Sequence, residues 1–322
     1  MKAYSRTEAR EYLTHPEWDL VYGSEAYARW LEQGKRPSGF PYVKSVGTFW
    51  RSYGGTYDAA KDRYRVDMGT HVMLNVIGVS TAIEYGLKGL YENTLGRLTE
   101  WNMPAGGTAE DKYSAKVARE YATLIATKGW YEFGFMRAFK GLWSDVPLTG
   151  PGLLRKWERR FALSGEYLVK AAYASLIGLA TAAGYTPDEL TRHVVAVGWS
   201  EPLDASIGGN AHFAKVRDLD RGYSLLSVGR YDPYRDALLA LSDHADCVRI
   251  AEINGSELVT IAGTAPAEWR TPMRTSTVVA YRQPDDPART RMLLRVQARD
   301  LLDVLRSLRA GGSFRVEHIY DY

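Results

Sequence analysis

Three charged side chains fall where a helix would ordinarily carry apolar ones, and their types could support proton transfer. Glu84 shares a helical stripe with Met73, Ile77, Lys88 and Tyr91, and Glu166 shares one with Ala162, Val169, Tyr173 and Ile177. Lys128 lies beside the apolar stripe of the segment between them. An ion left unpaired in such surroundings costs on the order of several kcal/mol, so Glu84, Lys128 and Glu166 are expected to meet. Two carboxylates gathered in a pocket would have perturbed acidities and could move protons. The competing arrangement is a surface Glu84–Lys88 pair at i, i+4, worth roughly half a kcal/mol or less, with Glu166 on the rim.

A second candidate is the loop SIGGNAH at 206–212. The backbone N–H groups around Gly208, Gly209 and Asn210 could cradle an anion, with His212 as a titratable partner. A plain turn between strands accounts for the same residues.

The third is compositional. Residues 129–161, GWYEFGFMRAFKGLWSDVPLTGPGLLRKWERRF, hold eight aromatics and six Lys/Arg against three acids. Trp130, Phe133 and Trp143 with Arg155, Lys156, Arg159 and Arg160 form a set suited to a partner protein, whose interfaces are anchored by Trp, Tyr and Arg. The same set suits an anionic membrane surface, where each base adds roughly 1 kcal/mol. A packed corner of the core is the third setting for this composition. There Tyr131, Phe135, Phe139, Trp157 and Phe161 are buried and the bases form a solvated face.

Other chemistries find no support. The sequence has no GxxxxGK[ST], GxGxxG or GxSxG pattern, no HExxH and no CxxC. The histidines lack metal-ligand spacing, and Cys247 is the only cysteine, so neither a metal nor another cofactor is predicted. A net charge of +3 over 322 residues argues against a dedicated nucleic-acid binder. The opening MKAYSRTEAREYL lacks the pattern of a secretory signal, giving a cytoplasmic expectation that includes peripheral contact with the inner face of a membrane.

The elements that must position these residues can be read from periodicity. Residues 1–68 look like broken helices packing on a long-helix bundle at 69–190. In that bundle, Val72, Val76, Val79, Ile83, Leu87, Leu90, Leu95 and Leu98 mark one long apolar stripe. Tyr113, Val117, Tyr121, Leu124, Tyr131, Phe135, Phe139 and Leu142 mark a second, with a weak point at Lys128–Gly129. Leu154, Trp157, Phe161, Leu168, Ala172, Leu176 and Leu179 mark a third. Short connections between long helices predict an antiparallel arrangement with these stripes inside, and Thr108 with Asp111 predicts the N-cap of the second helix. Residues 191–322 contain a repeat of strand, helix, strand: SLLSVGRY, PYRDALLALSDH, CVRIAEI, then RMLLRVQ, ARDLLDVLRSLRAGG, FRVEHIY. Two such units predict a ferredoxin-like βαβ-βαβ sheet, extended by ELVTIAG and TSTVVAY. The expectation is an α+β protein acting as a non-catalytic scaffold, assembly or sensing factor through 129–161, with homo-oligomerisation among its modes. The alternative is a cytoplasmic enzyme or small-molecule binder using the carboxylate pocket.

Overall fold

The structure is a computed structural model and describes residues 14–61, 68–126, 129–182, 192–198, 213–229, 232–245, 247–250 and 258–321. It is α+β, with helices in the N-terminal part and antiparallel sheets in the C-terminal part. The chain divides into two compact units, each discontinuous in sequence. One comprises 1–17, 48–77 and 186–322; the other comprises 18–47 and 78–185.

Helix α1 (Thr14–Glu32), α2 (Tyr42–Ala60) and α3 (Met68–Tyr91) come first. Helix α3 continues through a π-turn at Glu92–Gly96 into a last turn at Arg97–Thr99. Helix α4 (Ala109–Ile125) opens on the expected capping box, with the Asp111 amide donating to Thr108 Oγ1 and the Thr108 amide donating to Asp111 Oδ2. Its stripe breaks after Ile125 and resumes at α5 (Phe135–Ser144), so the predicted second helix is two. Helix α6 (Leu153–Ala182) is the longest. In the helical unit, α4, α5 and α6 enclose a core of Val117, Phe133, Phe135, Leu142, Leu163 and Tyr167. A neighbouring cluster joins Tyr27, Leu31, Phe40 and Tyr42, with Tyr85 packed on it.

The sheet unit departs from the ferredoxin-like expectation. Its strands are β1 (Arg192–Gly198), β2 (Phe213–Asp218), β3 (Tyr223–Gly229), β4 (Cys247–Ile250), β5 (Leu258–Pro266), β6 (Thr275–Arg282), β7 (Arg289–Gln297) and β8 (Arg315–Asp321). They form two four-stranded sheets, β2-β3-β1-β4 and β6-β7-β5-β8, rather than one. Helix α7 (Asp232–His244) joins β3 to β4, and α8 (Leu301–Ala310) joins β7 to β8. The repeat is therefore longer than a βαβ unit. It is βββαβ, used twice with the same strand order, and the stretches read as sheet extensions are β5 and β6 of the second copy.

The reason is visible in the pairing. Each βαβ unit leaves a gap between its two strands, and in each copy the first strand of that copy fills it. Thus β1 pairs with both β3 and β4, and β5 with both β7 and β8. Neither unit needs the other's strands. One apolar core, from Val197, Leu226 and Leu238 to Ile261, Leu294 and Leu305, lies under both sheets.

Candidate functional site

The charged residues on apolar ground lie between α3 and α6, in the helical unit. Lys170 Nζ is 2.7 Å from Glu84 and 3.0 Å from Glu166, and Lys88 Nζ donates to both oxygens of Glu166 at 3.0 Å. One turn further on, the Tyr91 hydroxyl donates to Glu158 at 2.8 Å, and Arg159 donates to Glu92 at 2.5 Å. Arg155 donates to the Gly96 carbonyl at 3.0 Å and to Glu158 at 2.9 Å. The order 84–170, 88–166, 92–159, 96–155 defines an antiparallel pair of helices laced by ions.

The π-turn contributes to this lacing. The Glu92 carboxylate folds against Gly96, where an added Cβ would lie 2.6 Å from Glu92 Oε2, so a larger residue there would displace it. Behind the ladder, the buried Glu110 carboxylate accepts from Lys156 at 2.8 Å and Arg160 at 2.7 Å. Arg160 also donates to the carbonyls of Val146 and Pro147 at 2.9 and 3.1 Å. Asp111, the α4 cap, faces Arg159 at 3.2 Å and ties the cap to the same network.

These contacts correct the placement expected for 129–161. Arg155, Lys156, Arg159 and Arg160 are not a solvated face: each is at most 2% exposed and engaged by carboxylates. Trp157 and Phe161, expected inside, are exposed, Phe161 by 77%. The physical reason lies in Glu92, Glu110, Asp111 and Glu158, which bring a carboxylate to each of four bases that would otherwise need water. Phe133 is buried against Tyr121 and Phe135, and Trp130 is half-buried, stacked on Tyr173 with ring centroids 5.1 Å apart. Trp143 is exposed beside Trp157, at 6.3 Å, with the Arg160 guanidinium 5.3 Å from its ring.

Glu84 and Glu166 do come together, bridged by Lys170. Lys128 lies outside the described residues, as do Gly208, Gly209, Asn210 and His212. Lys170 was discoverable from its i, i+4 relation to Glu166. Glu92 and Glu110 carried no such local signal, because their partners lie some fifty or more residues away in α6.

Electrostatically the carboxylate site is locked. Burial alone would raise the Glu166 carboxyl, but Lys170 and Lys88 together outweigh it and hold the group well below the usual carboxylate range. Lys170 is likewise pulled well above its ordinary value, against burial, by Glu166 and Glu84. A carboxylate so firmly ionised is a poor proton shuttle near neutral pH. The cavity beside these residues, bordered by Tyr27, Tyr42, Tyr85 and Tyr121, measures about 70 Å³. Ligand pockets ordinarily measure roughly 300–1,000 Å³, so this cavity is small.

The other side of the same two helices is apolar and bare. Val79, Ile83, Leu87, Leu90, Leu95 and Leu98 of α3 and its continuation are exposed, Leu87 and Leu90 by 64%. So are Leu154, Trp157, Phe161, Leu168, Val169 and Leu176 of α6. The first and third predicted stripes thus exist, but within the helical unit they face outward. At 100° per residue both stripes lie on the far side of the ladder from the core. Because the helices are antiparallel, the two stripes emerge on the same side of the pair. Each runs for roughly 30 Å at 1.5 Å per residue.

One end of this face is aromatic, with Trp101 (76% exposed), Trp157 and Trp143. There Leu154 N donates to Asn102 Oδ1 at 3.2 Å, holding the start of α6 against the end of α3. At that end, beside Trp101, a cleft is lined by Trp30, Lys35, Arg36, Ser38, Arg97 and Glu100. Among the described residues no helix is long and apolar enough to cross a membrane, and no group of three His, Cys, Asp or Glu is placed to hold a metal ion. Comparison of the chain with protein-family models, with curated proteins and with solved structures finds no match.

Proposed function

We propose that the helical unit is a non-catalytic docking module that rests its α3–α6 face on an anionic membrane surface. The observation that carries this reading is the inversion of the pair, with ions turned inward and large apolar side chains turned out. The largest apolar patch on a typical monomer covers about 300–600 Å². Two adjacent helical stripes of Leu, Val, Ile, Phe and Trp, each roughly 30 Å long and about 10 Å wide, reach the top of that range as one continuous face. Their length is close to the roughly 30 Å of a bilayer's hydrocarbon core. However, α4 and α5 present Lys112, Lys116, Glu120, Arg137 and Lys140 to solvent, which favours helices lying in the interface plane over helices that span it. Trp101, Trp143 and Trp157 suit the headgroup level, and the bases Lys35, Arg36 and Arg97 beside Trp101 complement anionic lipid.

A second copy of the chain or another protein is the competing occupant, and the test separates them. Flotation with phosphatidylcholine–phosphatidic acid vesicles is expected to carry the wild type upward, and Phe161→Asp with Leu87→Asp to abolish it. The proposal fails if the wild type does not float but sediments as a discrete dimer that the same substitutions dissociate. The carboxylate pocket of an enzyme is disfavoured by its small cavity and its locked charges.

A further inference from the structure

The cleft at the aromatic end has a chemistry that the apolar face does not explain. It is open, with a volume of about 780 Å³, and bordered by Lys35, Arg36 and Arg97 against the single acid Glu100. Glu100 is itself committed: its carboxylate is 5% exposed and accepts from Ser38 Oγ at 2.5 Å, with Arg36 at 3.5 Å. The turn that carries the bases is held in place by Trp30, whose Nε1 donates to the Arg36 carbonyl at 2.8 Å. Lys35 lies over the Trp30 ring at 4.4 Å. Lys35, Arg36 and Arg97 are all exposed, and among the described residues Lys35 and Arg97 have no carboxylate partner. The cleft therefore presents more positive charge than it neutralises, on a braced scaffold. It opens beside Trp101 and Leu98, at the end of the apolar stripe.

We infer that this cleft is a subsite for the phosphate of an anionic phospholipid, whose acyl chains lie toward the α3–α6 face. The inference rests on the membrane reading above and names the lipid chemistry that the module selects. A guanidinium pairs with phosphate oxygens through two parallel N–H donors, and a lysine adds a point charge. The tryptophans at the rim occupy the depth at which a headgroup meets hydrocarbon. A free anion in water would use the bases but not the adjoining apolar stripe, and this favours a lipid over a soluble phosphate.

The test compares the full chain with a Lys35→Gln, Arg36→Gln, Arg97→Gln variant and with a Lys112→Gln, Lys140→Gln control outside the cleft. Binding is measured to phosphatidylcholine vesicles with and without phosphatidic acid. The wild type is expected to bind the neutral vesicles and to gain affinity with phosphatidic acid. The cleft variant should keep the neutral binding and lose most of the gain, on the order of 100-fold if each base contributes about 1 kcal/mol, while the control should lose little. If the cleft variant keeps the gain, or the control loses as much, the cleft is not the headgroup site and the docking reading stands. If neither vesicle is bound, the docking reading itself fails. Glycerol phosphate should perturb the Trp30 and Trp101 fluorescence only weakly. Saturation by it at the affinity seen for phosphatidic acid vesicles would overturn the lipid assignment.

Discussion

In the sheet unit, strand β3 alternates between buried and half-buried residues along its length, and Leu226, Leu238 and Leu294 have no exposed surface. In the helical unit, α6 places Arg155 and Arg159 where those leucines would be and leaves Leu154, Trp157 and Phe161 outside. Both units show a clean hydrophobic period. Periodicity identifies a stripe, but it does not say which medium the stripe faces. That depends on whether other elements bring enough apolar surface, or enough counter-charge, to each side.

The comparison breaks most sharply under substitution of one buried and one bare leucine. Leu294→Ala in the sheet unit is expected to cost about 2–5 kcal/mol, whereas Leu87→Ala should stay within about 0.5 kcal/mol without lipid. Urea unfolding followed by circular dichroism measures both, and equal costs would mean that the α3 stripe is covered in solution. In the helical unit the corresponding large effect belongs to an ion. Glu110→Gln leaves Lys156 and Arg160 short of a buried counter-charge, and loss of one partner of a buried pair typically costs about 3–5 kcal/mol. A value below about 1 kcal/mol, the level of exposed pairs, would show that water reaches the ladder.

Acid should separate the units further. In the sheet unit, burial and then the charge of Arg291 depress the His15 imidazole from 6.5 to about 3. A base depressed on folding stabilises the fold above its unfolded value and loses that contribution as pH falls from 6.5 toward 3. The loss is on the order of a few kcal/mol, and His15→Gln should flatten it. Glu166 is a depressed carboxyl in the helical unit, so its contribution is present above its ordinary 4.5 and fades only below that. Probes placed in each unit and titrated from about pH 7 to acid should therefore report the sheet unit weakening first. Among the ion pairs the smallest effect concerns the exposed Arg119–Glu32 pair, both side chains about two-fifths accessible. Arg119→Ala should cost no more than about 1 kcal/mol, and less at high salt.

Much of the architecture was legible. The strand-helix-strand repeat was present in the leucine spacing of α7 and α8, and the α4 cap was present in Thr108 and Asp111, because both are local signals. The strand order was not legible, since which strand fills the gap between β3 and β4 depends on long-range pairing by β1. Of the candidate site, Glu84 and Glu166 stood out as charges on apolar ground. Lys170 was missed although it lies one turn from Glu166. The basic cluster of α6 was visible but its side was not, because its acids come from Glu92, Glu110 and Asp111 on other helices.

By itself, the sequence determined the helices, the repeat and the stripes, which arise from nearest-neighbour chemistry at spacings of two and of three to four residues. Only the tertiary structure decided which stripe faces out. Burying four bases is tolerable solely where distant carboxylates converge on them, and that convergence exists only when α3, α4 and α6 have packed.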